Sequence, residues 1–212
     1  MAPFFKQKTA YAIGVRLVGS EMCIRDRPMP EPENKPTFVL IHGAWAGSWV
    51  WDALTPELQA AGHRVLALDM PGNPQHPAAA EDISMAGCMA HIAAACAEIE
   101  GPLLLVGHSG GGVIATQAAE MLSERVVGVA YLAGMMLPSG LGFAELTTEL
   151  MQTHPEAAGI WPHLHWAEDR QSSEVPPEAV CEIFLQDLPQ EQAMAAAQRF
   201  CSQPEGTRAL VA

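Results

Sequence analysis

The sequence predicts an α/β fold in which a parallel sheet is covered by helices on both faces. From residue 37 onward, short apolar runs alternate with longer segments of helical period, and this alternation is typical of such sheets. The chain has 212 residues, of which 49% are hydrophobic, so it is long enough to bury a substantial core.

The elements follow one another in the order βαβαβαβ. The apolar runs that we interpret as strands are residues 37–41 (TFVLI), 64–69 (RVLALD), 102–107 (PLLLVG) and 126–133 (VVGVAYLA). Between them, residues 51–61, 84–99 and 110–122 have a helical pattern. Gly62 is a C-cap signal for the first helix, and Ser84 is an N-cap signal for the second.

After residue 133 the strand and helix alternation stops, and no further strand is predicted. Helical stretches follow at residues 177–185 and 190–200. We therefore expect three regions: a non-native or disordered extension and linker, an N-terminal part of the α/β core, and a partial helical cap. These regions are residues 1–36, 37–136 and 137–212.

The first 27 residues differ from the rest of the chain in charge. They carry five basic and two acidic side chains, whereas the whole chain has a net charge of −13. Arg16 interrupts the apolar stretch at residues 11–18, which excludes a secretory signal peptide. The string KQKTAYAIGVRLVGSEMCIRDR resembles translated sequencing-adapter read-through, for which we expect no function. A basic transit peptide is the alternative.

The composition excludes several classes of partner. An acidic chain, with 24 Asp and Glu against 11 Lys and Arg, is not expected to bind nucleic acid or an anionic membrane. The longest apolar run, residues 126–137, is shorter than the roughly 20 residues of a membrane-spanning helix. The five cysteines are odd in number and scattered, so we expect a cytoplasmic protein in which Cys88 and Cys96 are small core residues.

A G-x-S-x-G motif lies between the third predicted strand and the third predicted helix. Ser109 stands at its centre, flanked by Gly107, Gly110, Gly111 and Gly112. A sharp strand-to-helix turn needs small neighbours, and it presents the central hydroxyl beside the positive end of the helix. Alone, the pentapeptide is equally consistent with a glycine-rich turn that contains an incidental serine.

A second motif, HGAW at residues 42–45, follows the first strand. If the first and third strands are neighbours, their carboxyl ends lie side by side. The amides of Ala44 and Gly110 then converge on one oxygen, and each donor is worth about 3 to 4 kcal/mol in a transition state. We interpret His42 as a structural residue beneath this loop. Strand alternation directs His108 away from Ser109.

The strings HGAWAGSWVW, ALDMPGN and GHSGGG, in that order, resemble the α/β-hydrolase fold. The first is most similar to the plant-type methylesterase and hydroxynitrile lyase branch and its bacterial relatives. The resemblance extends over residues 37–204. It implies that Ser109 is the nucleophile and that Ala44 and Gly110 form the oxyanion hole. Gly43 stands where the lyases have threonine, which favours ester hydrolysis over carbon–carbon cleavage.

The same resemblance implies an acid and a base that this sequence does not supply at the expected places. Downstream of Ser109 the histidines and aspartates are His154, His163, His165, Asp169 and Asp187, and all of them fall in the cap-like region. We expect the acid and base to lie beyond Ala212, and this chain alone to be a truncated and inactive fragment. The remaining alternative is a base from the cap, where WPHLHW otherwise forms one wall of an apolar pocket.

The sequence therefore predicts a fragment of a serine carboxylesterase that hydrolyses small, apolar esters through an acyl-enzyme. A hydroxynitrile lyase-like enzyme and a non-catalytic ligand-binding module on the same fold are the alternatives. We expect no cofactor and no metal site, since the H-x-H at residues 163–165 has no suitably spaced third ligand. The oligomeric state stays open. Trp49 and Trp51 are expected to pack the first helix onto the sheet.

Overall fold

A parallel four-stranded sheet forms the centre of the fold. In the computed structural model, which describes residues 35–142, 145, 148, 151–154, 158–204 and 206, the strand order is β2-β1-β3-β4. Ile41 pairs with Gly107 at the carboxyl end of the sheet, so β1 and β3 are neighbours, as predicted. The strands are β1 (Thr37–Ile41), β2 (Val65–Leu68), β3 (Leu103–His108) and β4 (Val126–Leu132).

The helices between these strands agree with the prediction in number but begin at different residues. A 3-10 turn occupies Ser48–Trp51, so α1 begins only at Leu54, where Pro56 fits into the first turn because that turn needs no amide donor. Gly62 follows its end with φ +84°. Ser84 caps α2 by accepting a hydrogen bond from the Gly87 amide at 3.2 Å. The helices are α1 (Leu54–Ala60), α2 (Met85–Ala97) and α3 (Gly111–Met121).

The region after β4 contains a small antiparallel sheet, so the prediction of no further strand is wrong. Its strands are β5 (His165–Trp166), β6 (Ser172–Glu174) and β7 (Gln203–Pro204), in the order β5-β6-β7. Strands of two or three residues are too short to show the alternation by which a strand is recognised.

The two predicted cap helices are shorter than their sequence pattern. The first begins as α4 (Pro177–Ala179) and continues as a π-helix over Val180–Phe184. The second, α5 (Gln190–Ala197), ends three residues before the predicted residue 200.

Apolar side chains form clusters on both faces of the parallel sheet. One face packs Ile41, Leu103 and Leu105 against α2 and α3, and Cys88 and Cys96 are buried there, as predicted. Burial raises the pKa of the Cys88 thiol to about 11. The other face packs Leu40 and Val106 against Trp51. A third cluster joins Trp45 to Ile160, Leu164 and Val180 of the cap region.

The described residues from Lys35 onward belong to one compact unit. The predicted boundary between core and cap at residue 136 lies within it and stays a prediction. The predicted extension lies outside the described residues, apart from its last two. Within the part of the chain that the structure describes, no helix combines the length and the apolar character that crossing a membrane requires.

Candidate active site

Ser109 lies at the turn that joins β3 to α3. Its φ is +51°, in the left-handed region that non-glycine residues rarely adopt and that costs about 1 to 3 kcal/mol. Its carbonyl oxygen accepts hydrogen bonds from the amides of Gly112 at 3.0 Å and Met135 at 2.9 Å. These bonds hold the strained turn, so the serine side chain is fixed at the carboxyl end of the sheet.

The glycines around Ser109 are needed for close approach, with one exception. A Cβ on Gly107 would lie 2.6 Å from the carbonyl oxygen of Gly111, and a Cβ on Gly111 would lie 2.6 Å from those of Ile41 and His42. Gly110 has no atom within 4 Å of such a Cβ, and its φ of −57° suits any residue. The expectation that Gly110 supplies room for the turn is therefore wrong.

One cavity brings together the three residues that the sequence predicts as the site. It has a volume of about 190 Å³, and Ser109, Ala44 and Gly110 all line it. Neither the Ala44 nor the Gly110 amide donates to an acceptor among the described residues. Two unused donors beside a serine are what an oxyanion hole requires.

His42 is buried below this loop with both ring nitrogens engaged. The Met70 amide donates to Nε2 at 3.0 Å, so Nδ1 carries the hydrogen and donates to the Gly43 carbonyl at 2.8 Å. Burial lowers the pKa of His42 and keeps the ring neutral. These contacts support the structural interpretation of His42.

Trp45 is the second residue of the site with a left-handed backbone, at φ +58°. Its amide donates to Gln203 Oε1 at 2.8 Å, and its carbonyl accepts from the Cys201 amide at 2.8 Å. Its indole donates to the buried Ser173 Oγ at 3.1 Å. All three partners come from β6, β7 and the residues just before β7. Sequence reasoning missed them, because nothing in the sequence links such distant positions.

The turn after β2 supports the other end of this loop. Asp69 accepts from the Ser48 amide at 2.7 Å and from the Ser48 hydroxyl at 2.8 Å. Asn73 donates to the Ala46 carbonyl at 2.8 Å. Both residues belong to the string ALDMPGN, and this string is the sequence feature from which their support of the loop could have been predicted.

The rest of the cavity wall is mostly apolar. Side chains of this kind come from the β2 turn, α2, α3, the segment after β4 and the cap region: Met70, Pro71, Cys88, Val113, Ile114, Met135, Ile160, Trp161 and Phe184. A ligand in this cavity meets hydrocarbon and sulfur on most sides.

None of the described histidines of the cap region lines this cavity, contrary to the expected Trp- and His-lined cap. Trp161 lines the cavity, but His163 and His165 line a separate one with Glu178 and Glu182. Of the described histidines, only His42 lines the Ser109 cavity, and its nitrogens are already engaged. The described lining therefore holds no available general base. His154, Asp169 and Asp187 are exposed and do not line the cavity either.

The remaining aromatic candidates lie away from the cavity. Trp51 packs on the sheet, where its ring contacts that of His108 at a centroid distance of 6.3 Å, on the side that strand alternation predicts. Trp49 does not pack on the sheet as expected. It lies against Phe200 at 5.4 Å and under the Arg199 guanidinium at 4.6 Å.

A parallel sheet with a serine at a left-handed turn between strand and helix defines an α/β protein of the hydrolase type. The chain belongs to the alpha/beta hydrolase family, whose profile matches residues 38–211. The predicted fold and the resemblance are both confirmed.

Several curated relatives are esterases or methylesterases from plants. Esterase PIR7B of Oryza sativa subsp. japonica is 36% identical over 129 residues, which are 58% of this chain and 48% of that protein. Methylesterase 3 of Arabidopsis thaliana is 33% identical over 121 residues, covering 51% and 43%. The match thus spans about half the length of these relatives.

A solved structure shares the fold over more of the chain. It is a novel pyrethroid hydrolase from Sphingobium faniae JZ-2, 25% identical, with a TM-score of 0.71 over 83% of this chain and 71% of that chain.

Proposed function

We propose that the whole protein is a carboxylesterase that hydrolyses small, apolar esters through an acyl-enzyme on Ser109. The observation that carries this proposal is the shared cavity, in which a serine on a strained turn lies beside the unused amides of Ala44 and Gly110. The esterase names of the relatives support it.

In this mechanism the Ser109 hydroxyl attacks the ester carbonyl carbon and forms a tetrahedral intermediate. The amides of Ala44 and Gly110 donate to the oxyanion, the alcohol leaves with a proton, and water then hydrolyses the acyl-enzyme. A neutral serine needs a general base for the first step. Since the described lining offers none, the base comes from a part of the whole protein other than these residues.

The cavity supports a small and apolar substrate. Its volume of about 190 Å³ lies below the roughly 300 Å³ at which sites for drug-sized ligands begin, and its walls are mostly hydrocarbon.

Ester hydrolysis is favoured over a lyase reaction because there is no room for a side chain at position 43. A Cβ there would lie 2.8 Å from the Ser109 Cβ and 3.0 Å from His108 Nδ1. A threonine at this position would displace the nucleophile in the present backbone.

We place the protein in the cytoplasm. Cys88, Cys96, Cys181 and Cys201 are free thiols, which suits a reducing compartment. Neither a nucleic acid nor a membrane is part of the proposal, and the partner is a small-molecule ester.

Labelling with an alkyl fluorophosphonate tests the nucleophile. Intact-mass and peptide analysis should find one adduct, on Ser109, which is lost in Ser109→Ala and kept in Ser123→Ala, a control at an exposed serine outside the cavity. Imidazole in the buffer supplies a general base and should accelerate labelling about tenfold or more. An adduct on another serine overturns the assignment.

A further inference from the structure

Hydrogen bonds fix the peptide groups on both sides of Ala44, and the two partners come from different parts of the fold. The peptide group before it is fixed where His42 Nδ1 donates to the Gly43 carbonyl at 2.8 Å. The peptide group after it is fixed where the Trp45 amide donates to Gln203 Oε1, also at 2.8 Å. His42 belongs to the core, whereas Gln203 belongs to β7 of the small sheet.

The direction of the Ala44 amide depends on both contacts. The Ala44 N–H and the Gly43 C=O belong to one trans peptide unit and point in opposite directions. A carbonyl that is drawn toward the buried His42 therefore sends the amide the other way. The contact at Trp45 limits rotation on the far side of Ala44, because it fixes the next peptide plane.

Of the two hydrogen bonds, the one to Gln203 restrains the less favourable conformation, because Trp45 has a left-handed backbone. A bulky residue keeps φ near +58° only when its surroundings hold it there. The partners available for this are Gln203 at the amide, Cys201 at the carbonyl and Ser173 at the indole. Without an acceptor for its amide, Trp45 relaxes toward an ordinary conformation and Ala44 turns with it.

We propose that Gln203 is a positioning residue of the active site: by accepting the Trp45 amide, it holds the Ala44 amide in place beside Ser109. The small antiparallel sheet thereby completes the oxyanion hole. This inference rests on the proposed function, in which Ala44 and Ser109 act on the same substrate carbonyl.

Gln203 also lines the cavity, so a direct contact with the substrate is the competing explanation. The two explanations differ in what they predict for Trp45. A positioning role changes the Trp45 amide in the absence of any ligand, whereas a ligand contact leaves that amide unchanged.

The test compares two substitutions at residue 203. Gln203→Met keeps the length of the side chain but removes the strong acceptor, and Gln203→Glu keeps an acceptor oxygen. Hydrogen exchange of the Trp45 amide, followed by NMR without ligand, should become about tenfold faster in Gln203→Met and stay near the wild-type rate in Gln203→Glu. Gln198→Met, at an exposed glutamine at the end of α5, is the matched control.

Labelling of Ser109 by fluorophosphonate provides the second measurement. Gln203→Met should slow it about tenfold, equally for a methyl and a longer alkyl phosphonate, since the lost donor serves both. A slowdown that depends on alkyl length, with unchanged exchange at Trp45, indicates a substrate contact and overturns the proposal.

Failure of the proposed function gives a different result. If the wild-type chain shows no adduct on Ser109 even when imidazole supplies the base, that function is wrong, while the exchange rates still report whether Gln203 holds Trp45. If Ser109 is labelled and Gln203→Met changes neither rate, the positioning role is wrong and the esterase proposal stands.

Discussion

Gly43 lies between the two halves of the candidate site. Its missing side chain leaves room for the Ser109 Cβ on one side and the His108 ring on the other. The HGAW loop therefore contacts the Ser109 turn at this position, and a side chain larger than hydrogen would push the two apart.

We expect Gly43→Ala to disturb both stability and reactivity. The added methyl group would lie 2.8 Å from the Ser109 Cβ, so the free energy of unfolding should fall by about 1 to 3 kcal/mol, as for other overpacked sites. Fluorophosphonate labelling of Ser109 should slow by about a hundredfold. Gly128→Ala on β4 is the control, because a Cβ there meets nothing within 4 Å. Equal urea midpoints for wild type and Gly43→Ala would contradict the contact.

His108 should make the stability of the protein depend on pH. Burial lowers its pKa below the usual 6.5, so the unfolded chain takes up the proton at a higher pH than the folded chain does. The contribution of His108 to the free energy of unfolding is therefore fully present above about pH 6.5, and it is lost as the pH falls below that value. Urea unfolding at about pH 7.5 and about pH 5.5 should show a smaller difference in His108→Gln than in wild type.

Trp51→Phe is the control for this experiment. It alters the ring that contacts His108 but leaves the imidazole, so the protein should lose stability at both pH values and keep its pH dependence. If the stability difference between the two pH values is the same in His108→Gln as in wild type, other groups cause the pH dependence. His42 and His91 are candidates, because burial also lowers their pKa values.

At the scale of secondary structure, the Arg125 side chain caps the C-terminal end of α2. Its guanidinium donates to the carbonyls of Cys96 at 3.0 Å and of Ile99, and it lies just before β4. A cation at a helix C-terminus satisfies carbonyls that lack partners within the helix. This one side chain ties α2 to the start of β4.

Replacing Arg125 should therefore cost more than replacing an arginine on the surface. We expect Arg125→Met to lower the free energy of unfolding by about 2 kcal/mol, since hydrogen bonds from a charged donor are lost. Arg199→Met removes an exposed ion pair with Asp52 at 2.9 Å and should cost less than about 1 kcal/mol. Chemical denaturation of both variants measures the difference, and a larger loss for Arg199→Met would refute it.

The elements that the sequence reveals are those whose signal is local. The four parallel strands are contiguous apolar runs, and Ser84 and Gly62 mark helix ends within one turn. The same holds for Ser109, whose turn depends on the close approach that Gly107 and Gly111 permit. The small sheet and Gln203 leave no such signal, because β5 to β7 have two or three residues each and their partners are far away in sequence.

At the scale of the whole molecule, β4 is the outermost strand of the parallel sheet among the strands that the structure describes. It pairs with β3 alone among the described strands, and 46% of Val127 and 51% of Leu132 are exposed. Val126 and Val129 are partly buried against the core. The exposed apolar surface of β4 is therefore formed mainly by Val127 and Leu132. Long apolar edges promote association between chains.

We expect the chain to associate through this edge in solution. Leu132→Lys places a charge on the edge and should raise the fraction of monomer in size-exclusion chromatography with light scattering. Leu188→Lys changes another exposed leucine, 41% accessible and distant in sequence, and should leave the distribution as it is. Equal effects of the two substitutions would show that general solubility, rather than the edge, controls association.

The hydrogen bond from Trp45 to Gln203 joins residues that are 158 positions apart. On the ribosome, at roughly 5 to 20 residues per second, about 8 to 30 seconds pass between the synthesis of these two residues. In the later part of this interval, once Ser109 has been made, the HGAW loop and the serine turn both exist while Trp45 still has no partner from β7. A nascent chain therefore carries Ser109 without the anchored loop, and under the proposed role of Gln203 the reactivity of Ser109 is acquired only when synthesis has passed residue 203.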